Sequence, residues 1–386
     1  MSTSPAPRRA LPEHISQIAL LLQGGGALGA FQAGVYQGIA EAGYAPDWIV
    51  GTSIGGIQAA ILAGNPPEAR LERLRAFWDR ITRAECPPGP AWDDPRRGAY
   101  NRGQAQLAMA LGQPGFYHPR CWDAPWLAPR GTDGARSLYT VEPLSRTLEA
   151  LIDFDRINAG APRLSLGAVN VRKGRTTYFD SARQRIGPEH VLASAALPPA
   201  FPPVAVDGEL YWDGGVVSNT PLELVIDSVP RYSTLCFMVD LFDAEGEAPA
   251  DLEEVMERHK DISYASRSEG HIEQYRQLHY MRRAISHLIG QLPAERQQDP
   301  EIQELARHGC RTTMSIVHMI YRSVPTETHS KDYDFSRTSV RDHWLSGLRD
   351  ARTAFEQARW LHRAPGDLGV EVEEIVSDAY RSYFRD

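Results

Sequence analysis

The stretch Ile18–Val35, IALLLQGGGALGAFQAGV, limits the fold more than any other part of the chain. It carries no charge and holds three adjacent glycines. A membrane span is a poor fit, because a bilayer helix needs about 20 predominantly apolar residues. Here Gln23, Gly24, Gly25 and Gly26 interrupt the run, and each glycine costs a helix about 1 kcal/mol. An export signal fits only superficially: Arg8 and Arg9 precede the run and ALGA resembles a cleavage site, but the apolar core IALLL is short. The better reading is strand, turn, helix. IALLL has the uninterrupted apolar character of a strand buried on both faces. AFQAGVYQGIAEAG has helical composition and stops at Gly43.

The pattern then repeats. DWIV reads as a second strand and IGGIQAAILAG as a second helix, ending at Gly64. Strand–turn–helix alternation predicts an α/β fold with a mostly parallel sheet. The 386 residues are 42% hydrophobic and 23% charged, enough for a large core. The net charge of -8, with both signs well mixed, argues against a nucleic-acid partner.

Three parts are expected. Residues 1–15 are a Pro-, Ser- and Arg-rich arm, 16–245 the α/β catalytic domain, and 246–386 a helical C-terminal region. A Pro/Trp-rich insertion at about 85–136 reads as a lid. Its aromatic residues Trp92, Phe116, Tyr117, Trp122 and Trp126 suit an acyl channel or a lipid surface, or plain core packing. Cys86, Cys121, Cys236 and Cys310 are scattered and read as free thiols. His271, His279 and His287 recur every eight residues and read as a polar helix face rather than a metal stripe.

The glycine turn matches G-x-G-x-x-G through Gly24, Gly26 and Gly29. A dinucleotide site also needs an acid at the end of the second strand. Asp47 precedes that strand, and the strand runs instead into Gly51-Thr52-Ser53-Ile54-Gly55. G-x-S-x-G between a strand and a helix is a nucleophile-elbow signature. It would present Ser53 at a helix N-terminus, with Gly51 and Gly55 permitting the sharp turn. Acyl transfer further requires N–H donors for an oxyanion, and Gly24, Gly25, Gly26 and Ala27 can supply them. The candidate base is Asp213 in WDGGVVSNTP, where Gly214 and Gly215 let the chain turn. An Asp-Gly hairpin turn is the competing reading of that segment.

In their order, GGGALGAFQAGV, GTSIGG, ASAALPPAFPPV and DGGVVSNTP resemble the patatin-like lipid acyl hydrolases over roughly residues 16–245. The resemblance implies an α/β/α sandwich and a Ser–Asp dyad, with Ser53 as nucleophile, Asp213 as base and the 24–27 loop as oxyanion hole. ASAALPPAFPPV would support the site rather than react. Many members carry Arg or Lys in the glycine loop where this chain has Ala27-Leu28, which removes a charge contact for a headgroup.

The expected function is therefore serine-dependent hydrolysis of lipid or related carboxylic esters, with no metal or organic cofactor. The expected location is cytoplasmic, with transient contact at a membrane or lipid surface; the oligomeric state is left open. Two alternatives stand beside it. One is an intracellular depolymerase of polyhydroxyalkanoate-type polyesters using the same dyad. The other is a non-catalytic regulatory or nucleotide-binding α/β protein.

Overall fold

The computed structural model describes residues 9–85, 88–120, 125–160, 162–324, 326–361 and 369–375. At its centre is a nine-stranded sheet. In chain order the strands are β1 (Gln17–Leu22), β2 (Trp48–Thr52), β3 (Arg163–Asn170), β4 (Arg175–Asp180), β5 (Val204–Val206), β6 (Glu209–Asp213), β7 (Thr234–Asp240), β8 (Met314–Ile320) and β9 (Val370–Ile375). Across the sheet the order is β9-β8-β7-β1-β2-β3-β6-β5, with β4 also on β3. From β9 to β3 every pairing is parallel; β4, β6 and β5 form an antiparallel edge. Strand β1 lies between β7 and β2, and Ile18–Leu22 are all buried, as a continuous apolar run in a parallel sheet requires.

Helices α1 (Gly29–Glu41) and α2 (Ile54–Ala63) come after the first two strands, as the sequence predicts. Further along the chain lie α3 (Pro67–Ile81), α4 (Arg97–Leu111), the long α5 (Leu252–Gly290) and α6 (Arg337–Gln357), among shorter helices. Helix α1 packs tightly on α6. A Cβ on Gly34 would overlap the Trp344 carbonyl oxygen, and one on Gly347 would overlap that of Phe31. The helices therefore meet backbone to backbone, and any side chain at either glycine would force them apart.

The division at 245/246 is not a break in the structure. The stretch after it is helical only in part: β8 extends the sheet beyond β7, and β9 extends it beyond β8. The run MSIVHMI is wholly buried, and its parallel pairing with β7 makes it a strand of the central sheet. The described part of the N-terminal arm, from residue 9 on, is also less loose than its composition implies. Ile15 is buried, and the Arg9 N–H donates to the Gly43 carbonyl at 2.8 Å.

The 85–136 insertion is built around α4. Buried Arg97 fixes it to α6, donating to Ser339 at 3.0 Å and pairing with Asp342 at 2.9 Å, and it also donates to Asn101 at 2.8 Å. A two-residue bridge between His118–Pro119 and Tyr139–Thr140 closes the insertion. Cys86, Cys121 and Trp122 lie outside the described residues; Cys236 and Cys310 are buried free thiols. The three histidines of α5 have separate surroundings. His271 faces Glu223, His287 faces Gln291, and His279 is buried against the Thr312 carbonyl rather than on an exposed polar face. No helix among the described residues is long and apolar enough to cross a membrane.

Candidate active site

One edge of β3 brings Ser53 and Asp213 together. Along its first half β3 pairs with β2, which ends with Thr52 opposite Gly167. From the next residue that edge is taken over by β6, with Asp213 opposite Ala168. Because β6 runs antiparallel, the C-terminal ends of β2 and β6 abut. The residue after Thr52 and the last residue of β6 must therefore be neighbours, although 160 positions separate them. Gly167 makes room at the junction: a Cβ there would lie 2.7 Å from Thr52 Oγ1.

The turn after β2 is sharp. Ser53 has φ 57° and ψ -128°, in the left-handed half of backbone space. Holding a non-glycine residue there costs of order 1–3 kcal/mol, so the surroundings must enforce it. They do so through close backbone contacts. A Cβ on Gly51 would collide with the Gly55 carbonyl, and one on Gly55 with the Leu22 carbonyl at the end of β1. The Ser53 N–H donates to the Ser194 carbonyl at 3.0 Å. Helix α2 starts directly after the serine, placing its side chain at a positive helix end.

Asp213 is 1% exposed. Burial pushes its carboxyl up to about 7, against hydrogen bonding from the Ser53 hydroxyl and the Gly215 N–H. Oδ1 accepts from the Gly215 N–H at 2.7 Å. Oδ2 is buried without a hydrogen bond of good geometry, which leaves it free to take a proton. A carboxylate poised near neutrality suits a general base.

In the glycine loop, Gly26 has φ 55°, and a Cβ there would run into the Asp332 carbonyl. The Gly24 N–H points at the Asn219 carbonyl at 3.4 Å, and Asn219 Nδ2 donates back to the Gly24 carbonyl at 2.9 Å. The N–H groups of Gly25 and Gly26 have no protein acceptor among the described residues. Ala27 is fully buried and does not line the cleft at Ser53. Its N–H, like those of Gly25 and Gly26, has no protein acceptor among the described residues. Gln23, which breaks the apolar run in the sequence, anchors the loop from behind. Its Oε1 accepts the N–H groups of Leu241 at 2.5 Å and Phe242 at 3.2 Å, and its Nε2 donates to Thr220 at 2.8 Å.

ASAALPPAFPPV links the two halves of the site. The Ser194 carbonyl holds the elbow, and the Ala196 carbonyl accepts the Asp213 N–H at 3.0 Å. Ser194 Oγ donates to the Gly167 carbonyl at 2.7 Å, fastening the segment to the β2–β6 junction. Gly167, Ser194 and Asn219 are supporting residues that sequence reasoning did not single out. A glycine inside the strand SLGAVNV was the one local signal for the first. The other two depend on long-range partners.

Ser53, Asp213 and Gly24–Gly26 line a single cleft. Its apolar wall includes Leu197, Phe201, Phe116 and Phe335, and Tyr117, Tyr139, Tyr264 and Tyr333 also face it. Of the insertion's aromatics, Phe116 and Tyr117 reach the cleft. Trp92 instead packs edge-on against His343, and Trp126 is 84% exposed. His190 does not line the cleft: its Nδ1 accepts the Gly187 N–H at 3.0 Å and its ring packs on Phe179. No group of three or more His, Cys, Asp or Glu suited to a metal occurs among the described residues.

A serine on a strained strand–helix turn, beside a buried carboxylate and backbone N–H groups without acceptors, is an arrangement suited to ester hydrolysis. The patatin-like phospholipase family model matches residues 20–226, more than half of the chain, and a second model, described as patatin phospholipase, matches 262–367. The chain belongs to the patatin-like phospholipase family, and it is an ester-bond hydrolase of the lipid acyl hydrolase class. No curated protein matches. Among solved structures, VipD from Legionella pneumophila is 14% identical with a TM-score of 0.39, over 97% of this chain and 73% of that one. The ExoU–SpcU complex of Pseudomonas aeruginosa is 19% identical with a TM-score of 0.26, over 79% of this chain and 64% of that one. Both likenesses are distant, so the family assignment rests on the sequence models.

Proposed function

We propose that this protein hydrolyses carboxylic esters of lipids by a Ser53–Asp213 dyad. The carrying observation is the abutment of β2 and β6 on one edge of β3, which sets the elbow serine against a buried, near-neutral carboxylate. Ser53 Oγ attacks the ester carbonyl while its proton passes to Asp213 Oδ2. The oxyanion forms within reach of the Gly25 and Gly26 N–H groups, which carry no competing acceptor. The intermediate expels the alkoxide, which takes the proton from Asp213. Water then adds to the acyl-serine, again losing its proton to Asp213, and the carboxylic acid leaves as Ser53 is restored.

The largely apolar cleft suits an acyl chain. Work on such substrates would bring the protein to a membrane or lipid surface from the cytoplasm. Hydrolysis of p-nitrophenyl esters tests the dyad. Ser53→Ala and Asp213→Asn should each abolish it, while His190→Ala should retain turnover per folded molecule. Equal damage from His190→Ala would point to a triad and contradict the dyad.

A further inference from the structure

The 85–136 insertion and the residues just after it leave a set of apolar side chains uncovered. Trp126 and Leu127 are each 84% exposed, more than any other large apolar side chain among the described residues. Met109 and Leu111 of α4 are exposed as well, and so is Leu138. These three sit one step from the cleft. The hydroxyl of cleft-lining Tyr139 donates to the Met109 carbonyl at 2.8 Å. Leu138 donates its N–H to the Pro199 carbonyl at 3.1 Å, and beside it the Tyr139 N–H donates to the carbonyl of cleft-lining Ala200 at 2.9 Å. Leu111 ends α4 just before the turn that carries cleft-lining Phe116 and Tyr117.

The charge of this segment differs from that of the chain. Residues 97–140 hold five arginines, two aspartates and neither lysine nor glutamate, whereas the whole chain carries a net charge of -8. Arg97 and Arg102 are ion-paired with Asp342 and Glu253. Arg130 and Arg136, which follow Trp126-Leu127 closely, are exposed, with Asp133 between them. A lone exposed apolar residue needs no explanation. A pair this bare, with others beside an apolar cleft, does. Tryptophan is enriched at membrane–water interfaces, and arginine beside it is attracted to anionic headgroups.

We propose that the insertion docks the enzyme on a lipid surface bearing anionic headgroups, through Trp126 and Leu127 with Arg130 and Arg136 beside them. Docking holds the cleft, flanked by Leu111 and Leu138, near the layer from which an acyl ester enters. Apolar burial and attraction to anionic lipid add in such binding. This rests on the hydrolase reading above and adds where the enzyme meets its substrate.

The test is sedimentation of the full-length protein with phosphatidylcholine vesicles, with and without phosphatidylserine. Wild type should bind both, and the phosphatidylserine vesicles more tightly. The double variant Trp126→Ser, Leu127→Ser should weaken binding to both at least about tenfold. The double variant Arg130→Gln, Arg136→Gln should weaken only binding to the phosphatidylserine vesicles, about fivefold for each arginine. None of the four residues lines the cleft, so both variants should keep wild-type turnover of soluble p-nitrophenyl butyrate. Leu288→Ser, at an exposed position on α5, should bind as wild type does. Either double variant suffices if the other fails to fold, as judged by thermal melting. Wild type that ignores vesicles, a folded double variant that binds them normally, or an equal loss in Leu288→Ser overturns the proposal. So does a wild-type dimer that Trp126→Ser, Leu127→Ser breaks, seen by light scattering, since the surface then belongs to a second copy. Ser53→Ala should bind vesicles as wild type does. Turnover surviving in Ser53→Ala refutes the dyad, whereas an inert Ser53→Ala and a wild type that both ignore vesicles refute only the docking.

Discussion

The two walls of the cleft are made by different means. The Gly24–Gly26, Ser53 and Asp213 wall is made by backbone geometry: a positive φ at Ser53, glycines packed against carbonyls, and two strand ends abutting on β3. The Tyr264, Asp332 and Tyr333 wall is held by side-chain ion pairs from α5, chiefly Lys331 to Glu257 and Asp261. Backbone geometry fixes reacting groups to a fraction of an ångström, which chemistry needs. Side-chain pairs can be exchanged without disturbing the sheet. On the proposed mechanism the first wall carries the chemistry, and the second closes the cleft opposite it.

Damage to the first wall should be the more severe. Ser53→Ala and Asp213→Asn should each lower kcat by at least about four orders of magnitude, since the pair acts as a unit. Gly26→Ala forces a Cβ into the Asp332 carbonyl and displaces the loop donors, so kcat should fall about 100- to 1,000-fold. Steady-state kinetics on one neutral ester ranks all three. A Gly26→Ala enzyme with normal kcat would remove the loop from the mechanism.

Damage to the second wall should fall first on stability. Lys331→Met leaves buried Asp261, and half-buried Glu257 beside it, without their cation, costing about 3 kcal/mol. Urea unfolding measures this, and a loss below about 1 kcal/mol would mean the wall is held by something else.

A smaller effect comes from pH, and it links stability to chemistry. Asp213 must be deprotonated to act as base, so kcat/KM should fall as pH drops through about 7. Stability should move the opposite way. The folded-state value of about 7 lies above the ordinary 3.8, so between the two the native state holds more protons than the unfolded chain. This contribution is complete below about 3.8 and is lost as pH rises through about 7. Urea unfolding at pH 5 and pH 8 should show it, and Asp213→Asn should remove that part of the slope.

The same contrast explains what could be read from the sequence. Backbone geometry leaves a mark in residue type, because close approach and left-handed turns call for glycine. Gly24–Gly26, Gly51, Gly55, Gly214 and Gly215 therefore stood out, along with the strands and helices around them. The C-terminal wall leaves no such mark. Lys331 and Asp261 look like ordinary surface charges until the fold buries them together, with Glu257 half-buried beside them. Strand β8 was hidden for a related reason: a single apolar run between charged helices suits a helix or a strand equally, and only pairing with β7 decides. Ala27 stood out by adjacency; the structure buries its side chain and leaves its N–H without a protein acceptor among the described residues.

The central claim is that Ser53 is a nucleophile activated by Asp213. Its most direct test is reaction of the full-length protein with a fluorophosphonate probe, then peptide mass spectrometry. The expected result is one adduct on the peptide containing Ser53, absent in Ser53→Ala and formed far more slowly in Asp213→Asn. An adduct on another residue, or no adduct on the folded protein, would contradict it.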